Sequence, residues 1–130
     1  MNHRGTETQR DTLTEKVIGL AIQVHRTLGP GLLESVYQSC LCHELAQHGL
    51  RFKSEIELPV LYKGMKLDQG FRIDILVEDS LILELKTVEQ LRPIHEAQLL
   101  TYLKLAQCPV GLLINFNVDL LKNGIKRLVL

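Results

Sequence analysis

Hydrophobic residues in the first third of the chain recur every three to four positions, the spacing of one helix face. The first stripe consists of Leu13, Val17, Leu20, Val24 and Leu28. Thr12 and Glu15 have the spacing of a capping box and predict the helix start, and Gly29-Pro30-Gly31 predicts its end. The preceding residues lack apolar side chains to bury, so we expect a flexible tail over residues 1–11.

A second helix is predicted from about Leu32 to His48, ending at Gly49. Its buried stripe is predicted to contain Leu33, Val36, Tyr37, Cys40, Leu41 and Leu45. Glu34 shares a side with Tyr37 and Leu41, and a carboxylate near an apolar face needs a partner. That partner is either a lysine or arginine at the edge of the core or a metal ion.

From Phe52 onward the hydrophobic period changes to two, which indicates strands. The predicted strands are Phe52 to Leu58, Val60 to Tyr62, Lys66 onward, Phe71 to Val77, Leu81 to Lys86, Val110 to Phe116 and Ile125 to Leu130. A helix from Pro93 to about Gln107 separates two of them, and proline suits a first helical position. The order predicts one α/β domain over residues 12–130.

The hydrophobic pattern predicts the register of the hairpin from Phe71 to Lys86. With Asp79 at the apex, the facing pairs are all apolar: Val77 with Leu81, Ile75 with Leu83, and Ile73 with Leu85. The same register places Asp74 opposite Glu84 on the other face, and Arg72 opposite Lys86. Leu76 opposite Ile82 makes this second face partly buried.

Facing carboxylates, with Cβ atoms roughly 5 Å apart, repel unless a cation lies between them or a proton is shared. A hard divalent cation such as Mg²⁺ prefers such oxygen ligands, and the backbone carbonyl of Leu85 is a further candidate ligand. Lys86 would position water or stabilise developing charge, a set of parts that suits phosphodiester hydrolysis. The alternative is a solvated salt-bridge ladder of Asp74 with Arg72 and Glu84 with Lys86.

Gln98 and Tyr102 share one face of the Pro93 helix. Gln98 is a candidate to bind a phosphate or a metal-bound water, with Tyr102 supporting the site. The alternative is a surface glutamine and a half-buried tyrosine.

Composition narrows the function classes. Fifteen basic residues balance fifteen acidic ones, so net charge gives nucleic-acid binding no support. The chain has no apolar run long enough to span a bilayer and no signal-peptide core, so we expect a cytoplasmic protein that does not enter membranes. Three cysteines without zinc-motif spacing predict free thiols and no structural zinc. Glycine-rich phosphate loops, serine elbows and cysteine–histidine patterns are absent from the sequence, so it gives no support for a protease or a hydride-transfer enzyme.

Four elements in order resemble the PD-(D/E)XK nuclease superfamily, particularly its RecB-like branch with a Gln-x-x-x-Tyr helix. They are Glu34, Asp74, Glu84-Leu85-Lys86 and Gln98-Leu-Leu-Thr-Tyr102. More closely, Gly31-Leu-Leu-Glu34-Ser-Val-Tyr37 is similar to the signature of the GxxExxY proteins. In the superfamily pattern a proline precedes the first aspartate, and here Ile73 takes the place of that proline before Asp74.

The resemblance implies a restriction-endonuclease-like mixed sheet flanked by helices, and Mg²⁺ or Mn²⁺ as cofactor. It implies Asp74 and Glu84 as metal ligands, Lys86 as the catalytic lysine and Gln98 in the polar wall. Glu34 would assist the metal, directly or through water, with Tyr37 and Tyr102 as supporting residues. The expected activity is cleavage of DNA or RNA; the alternative is a non-catalytic module that binds protein or nucleic acid. The apolar strand from Ile125 to Leu130 also suggests a sheet edge for homodimerisation.

Overall fold

A computed structural model describes residues 5–130, apart from the side chain of Gln69. Its elements are α1 (Glu7–Leu28), α2 (Glu34–Gln47), β1 (Phe52–Tyr62), β2 (Met65–Val77), β3 (Leu81–Lys86), α3 (Pro93–Ala106), β4 (Val110–Asn115), a short 3-10 turn (Leu121–Gly124) and β5 (Ile125–Val129). The strands form one sheet in the order β1-β2-β3-β4-β5. Only the β3–β4 pair within this sheet is parallel. The predicted α/β fold with a mixed central sheet flanked by helices is confirmed.

Helix α1 begins earlier than the sequence predicted. Thr6 and Gln9 form the capping box, in which each side chain accepts a hydrogen bond from the other residue's backbone N–H. Thr12 instead donates its hydroxyl to the carbonyl of Thr8, one turn back inside the helix. The predicted capping box at Thr12 is therefore wrong, and residues 7–11 of the predicted tail are helical. The first four residues of that tail lie outside the described part of the chain.

The buried face of α2 is narrower than predicted. Tyr37, Leu41 and Leu45 are buried, whereas Val36 is exposed and Leu33 is 73% exposed. The prediction for these two was wrong. Because α2 starts at Glu34, Leu33 precedes the first helical turn as its N-cap, and Val36 lies in that turn outside the stripe of buried residues.

The sheet separates two hydrophobic cores. Helices α1 and α2 cover one face, and the core residues that β2 and β3 contribute there are Ile75, Val77, Leu81, Leu83 and Leu85. Helix α3 covers the other face, where the buried residues are Ile73, Ile82, Leu99, Tyr102, Leu103, Cys108 and Leu113. We call these the α1/α2 core and the α3 core.

The alternation of side chains between the two faces of the sheet is broken in β2 at Asp74. Residues two apart on a regular strand share a face, yet Ile73 belongs to the α3 core and Ile75 to the α1/α2 core. The predicted pairing of Ile73 with Leu85 is therefore wrong. On β1 the residue opposite Asp74 is Glu55, whose φ of 56° interrupts the extended backbone. Beyond this point Ile56 and Leu58 of β1 and Phe71 of β2 pack against the α3 core.

Strand β1 runs unbroken through the point where two strands were predicted. Its register with β2 shifts between Leu58 and Val60, around Pro59. Gly70 of β2 lies so close to β1 that an added Cβ would be 1.9 Å from the carbonyl oxygen of Leu58. This shift in register is a bulge that accommodates Pro59 without ending the strand.

Candidate functional site

The predicted register is observed where β2 and β3 pair, and it ends at the two acidic residues. The paired residues are Val77 with Leu81, Leu76 with Ile82, and Ile75 with Leu83. At the next position, hydrogen bonds from backbone N–H groups to side-chain carboxylates replace the backbone-to-backbone hydrogen bonds between the strands. The backbone N–H of Asp74 donates to Glu84 Oε2 at 2.9 Å, and the N–H of Leu85 donates to Asp74 Oδ2 at 2.8 Å. Each carboxylate thus satisfies a backbone donor on the opposite strand where the strands diverge.

Burial and mutual repulsion shape the electrostatics of this pair. Glu84 is only 4% exposed, and its burial, followed by the charge of Asp74, raises its pKa to about 8. Burial also raises the pKa of Asp74, although the hydrogen bond from Leu85 and the charge of Lys86 oppose that rise. A cation placed between the two carboxylates would relieve the same repulsion.

Lys86 lies at the end of β3, half-buried, where its charge stabilises the ionised forms of Glu34, Asp74 and Glu84. The salt-bridge ladder is not formed, because Arg72 pairs with Glu55 at 3.1 Å. Within residues 5–130, neither acidic residue of the pair has a lysine or arginine nitrogen within 4.0 Å. Lys86 is therefore near the carboxylates without being tied to one of them.

Helix α2 places Glu34 near the carboxylate pair and Lys86, which together we call the centre. Glu34 is the first residue of the helix, and its pKa is raised by burial and then by the charge of Asp74. One turn later, Tyr37 is fully buried in the α1/α2 core. The structure thus brings the predicted Glu34 into the electrostatic reach of the pair.

Tyr102 of α3 reaches the centre from the opposite core. Its pKa is raised to about 12 by burial and then by the charges of Glu84 and Asp74, and its ring lies 5.2 Å from that of Phe71. Gln98 lies one turn earlier on α3 and is half-buried. In the described structure its amide makes no hydrogen bond to a protein group, so its role stays a prediction, as does that of the Leu85 carbonyl.

Two residues near the centre escaped the sequence analysis. Glu55 is close enough to raise the pKa values of Glu34 and Asp74, after the larger effect of burial. Asn115 is buried at the end of β4, beside Lys86 in the parallel register. Its amide both donates to the carbonyl of Val88 and accepts from the N–H of Val88, at 2.9 and 3.1 Å. Asn115 thereby holds the segment that follows Lys86.

Neither residue had a local signal. Glu55 lies in a strand whose pattern is ordinary, and Asn115 is a single polar residue at the end of an apolar strand. A buried asparagine is recognisable only once its hydrogen-bond partners are known.

The donor set suits a hard divalent ion. Within residues 5–130, no three histidine, cysteine, aspartate or glutamate side chains are grouped closely enough to hold a metal by themselves. Magnesium usually takes one or two carboxylates and completes its shell with water and substrate phosphate. Asp74 and Glu84 each use one oxygen for the backbone bond described above, which leaves a second oxygen for such a ligand.

No helix within the described residues is long and apolar enough to cross a membrane. The three cysteines, Cys40, Cys42 and Cys108, are free thiols.

Comparison with curated proteins gave no match, and neither did comparison with solved structures. A family model described as the PD-(D/E)XK nuclease superfamily matches residues 11–128. That match spans the carboxylate pair, Lys86, strands β1 to β4 and all but the last residue of β5, and the sheet with its flanking helices is consistent with a restriction-endonuclease-like fold. Members of this superfamily generally use divalent metals. By sequence match and architecture together, the chain belongs to the PD-(D/E)XK nuclease superfamily.

Proposed function

We propose that this protein is a nuclease that hydrolyses phosphodiester bonds in DNA or RNA with Mg²⁺ or Mn²⁺. The observation that carries the proposal is the pair of carboxylates, Asp74 and Glu84, held by each other's strands beside Lys86. The Gly31-Leu-Leu-Glu34-Ser-Val-Tyr37 signature supports the further assignment to the GxxExxY group.

Each residue of the centre has a role that its position supports. Asp74 and Glu84 would hold the ion, with Glu34 acting through water and the Leu85 carbonyl as a further ligand. The ion, when bound, supplies a Lewis acid and lowers the pKa of water. Lys86 would orient the attacking water and stabilise the charge that develops on the phosphate. Gln98 would hold the phosphate, with Tyr102 as its support.

The first test is metal binding, because it does not require knowledge of the substrate. Mn²⁺ is titrated by calorimetry into the wild type, Asp74→Asn and Glu84→Gln, with folding checked by circular dichroism. Glu15→Gln, on an exposed part of α1, is the matched control. We expect saturable binding in the wild type and the control, and its loss in both site variants.

The second test is cleavage of labelled single- and double-stranded DNA and RNA with Mn²⁺ or Mg²⁺. Cleavage by the wild type and none by folded Glu84→Gln would support the nuclease. Equal cleavage by both proteins would refute the assignment of this centre.

The balance of fifteen basic and fifteen acidic residues favours the alternative of a non-catalytic binding module. A folded wild type that neither binds Mn²⁺ nor cleaves any of these substrates would make that alternative the better proposal.

A further inference from the structure

Tyr37 makes two hydrogen bonds that hold the segment directly before Glu34. Its hydroxyl donates to the carbonyl of Gly29 at 2.5 Å and accepts from the N–H of Leu32 at 3.2 Å. The two partners are the first and the fourth of the five residues that connect α1 with α2. One buried hydroxyl therefore closes this connection into a fixed turn.

The side chains of the connection do not themselves cap the start of α2. Gly29 has φ 72° and ψ −178°, a conformation open almost only to glycine, and Gly31 has φ 95°. The N-cap residue is Leu33, which cannot make the side-chain hydrogen bond that serine, threonine or aspartate would make. The position of Glu34, the next residue, is left to contacts elsewhere.

The ring of Tyr37 connects the same turn to the end of β3. It stacks on the ring of Phe116, with centroids 4.4 Å apart and an interplanar angle of 12°. The backbone N–H of Phe116 in turn donates to the carbonyl of Lys86 at 2.9 Å. A continuous set of contacts thus joins the backbone of Lys86, through Phe116 and Tyr37, to the turn that precedes Glu34.

We propose that Tyr37 is a positioning residue: its hydroxyl and its stack on Phe116 set the place of Glu34 relative to Lys86. The proposal gives a physical reason for the three-residue spacing of glutamate and tyrosine. Residues three apart share a side of a helix, so the tyrosine enters the core where it can reach back under the turn. The consequence for metal binding rests on the proposed function; the placement of Glu34 does not.

Tyr37→Phe distinguishes the effect of the hydroxyl from that of the ring, because phenylalanine can keep the stack on Phe116 but cannot make either hydrogen bond. The first experiment is nuclear magnetic resonance of metal-free protein. We expect the amide of Leu32 to exchange at least about tenfold faster with solvent, and the side-chain carboxyl ¹³C resonance of Glu34 to shift. The amide of Leu113 in β4 and the carboxyl of Glu15 serve as internal references and should not change.

Tyr62→Phe is the matched control, because Tyr62 is an exposed tyrosine at the tip of the β1–β2 hairpin. Neither resonance should change in that variant. A Glu34 carboxyl resonance that is the same in Tyr37→Phe and the wild type would overturn the proposal, whatever the protein does with metal.

The second experiment measures Mn²⁺ affinity in Tyr37→Phe, Glu34→Gln and the double variant. If Tyr37 acts through Glu34, both single variants should weaken binding by about tenfold or more, and the double variant no further than the stronger single one. Multiplied losses in the double variant would show that Tyr37 acts on the site by another route and would contradict the proposal. A wild type without Mn²⁺ affinity would refute the proposed function, and the resonance experiment would still decide the placement.

Discussion

Glu84 shows a conflict between residue type and position, because an ionisable side chain occupies a buried site. It occupies a buried position of the central strand β3, where the flanking residues Leu83 and Leu85 are apolar. A charged carboxylate there loses its hydration and lies beside a second carboxylate, Asp74. The protein offsets part of this cost with the N–H of Asp74, which donates to Glu84.

This conflict predicts an unusual dependence of stability on pH for the metal-free protein. The pKa of Glu84 rises from its ordinary 4.5 to about 8 on folding, so the folded state binds the proton more tightly than the unfolded state does. The contribution of Glu84 to stability is therefore fully present below pH 4.5 and is lost as the pH rises toward 8. Asp74 and Glu34, whose pKa values are also raised, act in the same direction.

The measurement is thermal unfolding at several pH values between 4.5 and 8, with a chelator present. We expect the midpoint of the wild type to fall across this range, and that of Glu84→Gln to fall less. A midpoint that depends on pH in the same way in the wild type and in Glu84→Gln would show that folding does not raise the pKa of Glu84.

Lys86 is predicted to matter for the reaction and not for metal binding. Lys86→Met keeps most of the apolar stem and removes the ammonium group, which contacts the site only through its charge. We expect cleavage to fall by at least about a hundredfold, while Mn²⁺ affinity stays the same or rises because a competing cation is gone. Cleavage at the wild-type rate, measured with labelled oligonucleotide, would remove Lys86 from the catalytic set.

At the scale of elements, the placement of α3 depends on one close approach. Gly111 of β4 lies under α3, and an added Cβ would be 2.9 Å from Leu99 Cδ1 and 3.2 Å from Leu103 Cδ2. The absence of a side chain therefore lets α3, which carries Gln98 and Tyr102, settle against the sheet.

Two glycine-to-alanine substitutions should then have opposite effects. Gly111→Ala overpacks the α3 core, and we expect the free energy of unfolding to fall by about 1–3 kcal/mol. Gly19 lies inside α1 with no atom within 4 Å of an added Cβ, so Gly19→Ala should raise it by about 0.5–1 kcal/mol. Urea unfolding measures both changes. A stabilising Gly111→Ala would mean that α3 sits farther from β4 than the structure has it.

At the scale of the whole molecule, β1 and β5 are the two edges of the sheet. Pro59, which has no backbone N–H to donate, and Glu55, whose φ is positive, make β1 an irregular edge and a poor partner for another strand. Strand β5 has no such interruption. Ion pairs from opposite faces hold it, Arg127 with Asp11 of α1 and Lys126 with Glu96 of α3.

We propose that β5 pairs with β5 of a second copy to form a homodimer. Val129 is 63% exposed at this edge, and its apolar side chain would be covered by the partner strand. Light scattering over a range of protein concentrations tests this proposal, with dissociation expected on dilution. A mass of one chain at the highest concentration would refute it.

Much of the fold followed from the sequence because its signals are local. The turn at Gly29-Pro30-Gly31, the start of α3 at Pro93 and the apolar β4 depend on backbone restrictions and on periods that a single segment carries. The β2–β3 register also followed, since a slip of one residue would have exposed an entire apolar face.

Other features depended on contacts that the hydrophobic pattern does not encode. The capping box that starts α1 is formed by Thr6 with Gln9 and not by the predicted Thr12, and Leu33 lost its predicted burial to a shift of the start of α2. Ile73 packs in the α3 core although Ile75, two residues later, packs in the α1/α2 core, and no period in the sequence predicts that change.

The candidate site divides in the same way. The sequence by itself determined which residues are candidates, because Asp74 and Glu84 face each other through one short hairpin. Only the tertiary structure decided that each carboxylate accepts a backbone N–H of the opposite strand, that Glu55 lies near them, and that Tyr37 links Glu34 to Lys86. Periodicity fixes which way a side chain faces within its own element, whereas the distance between elements depends on how the whole chain packs.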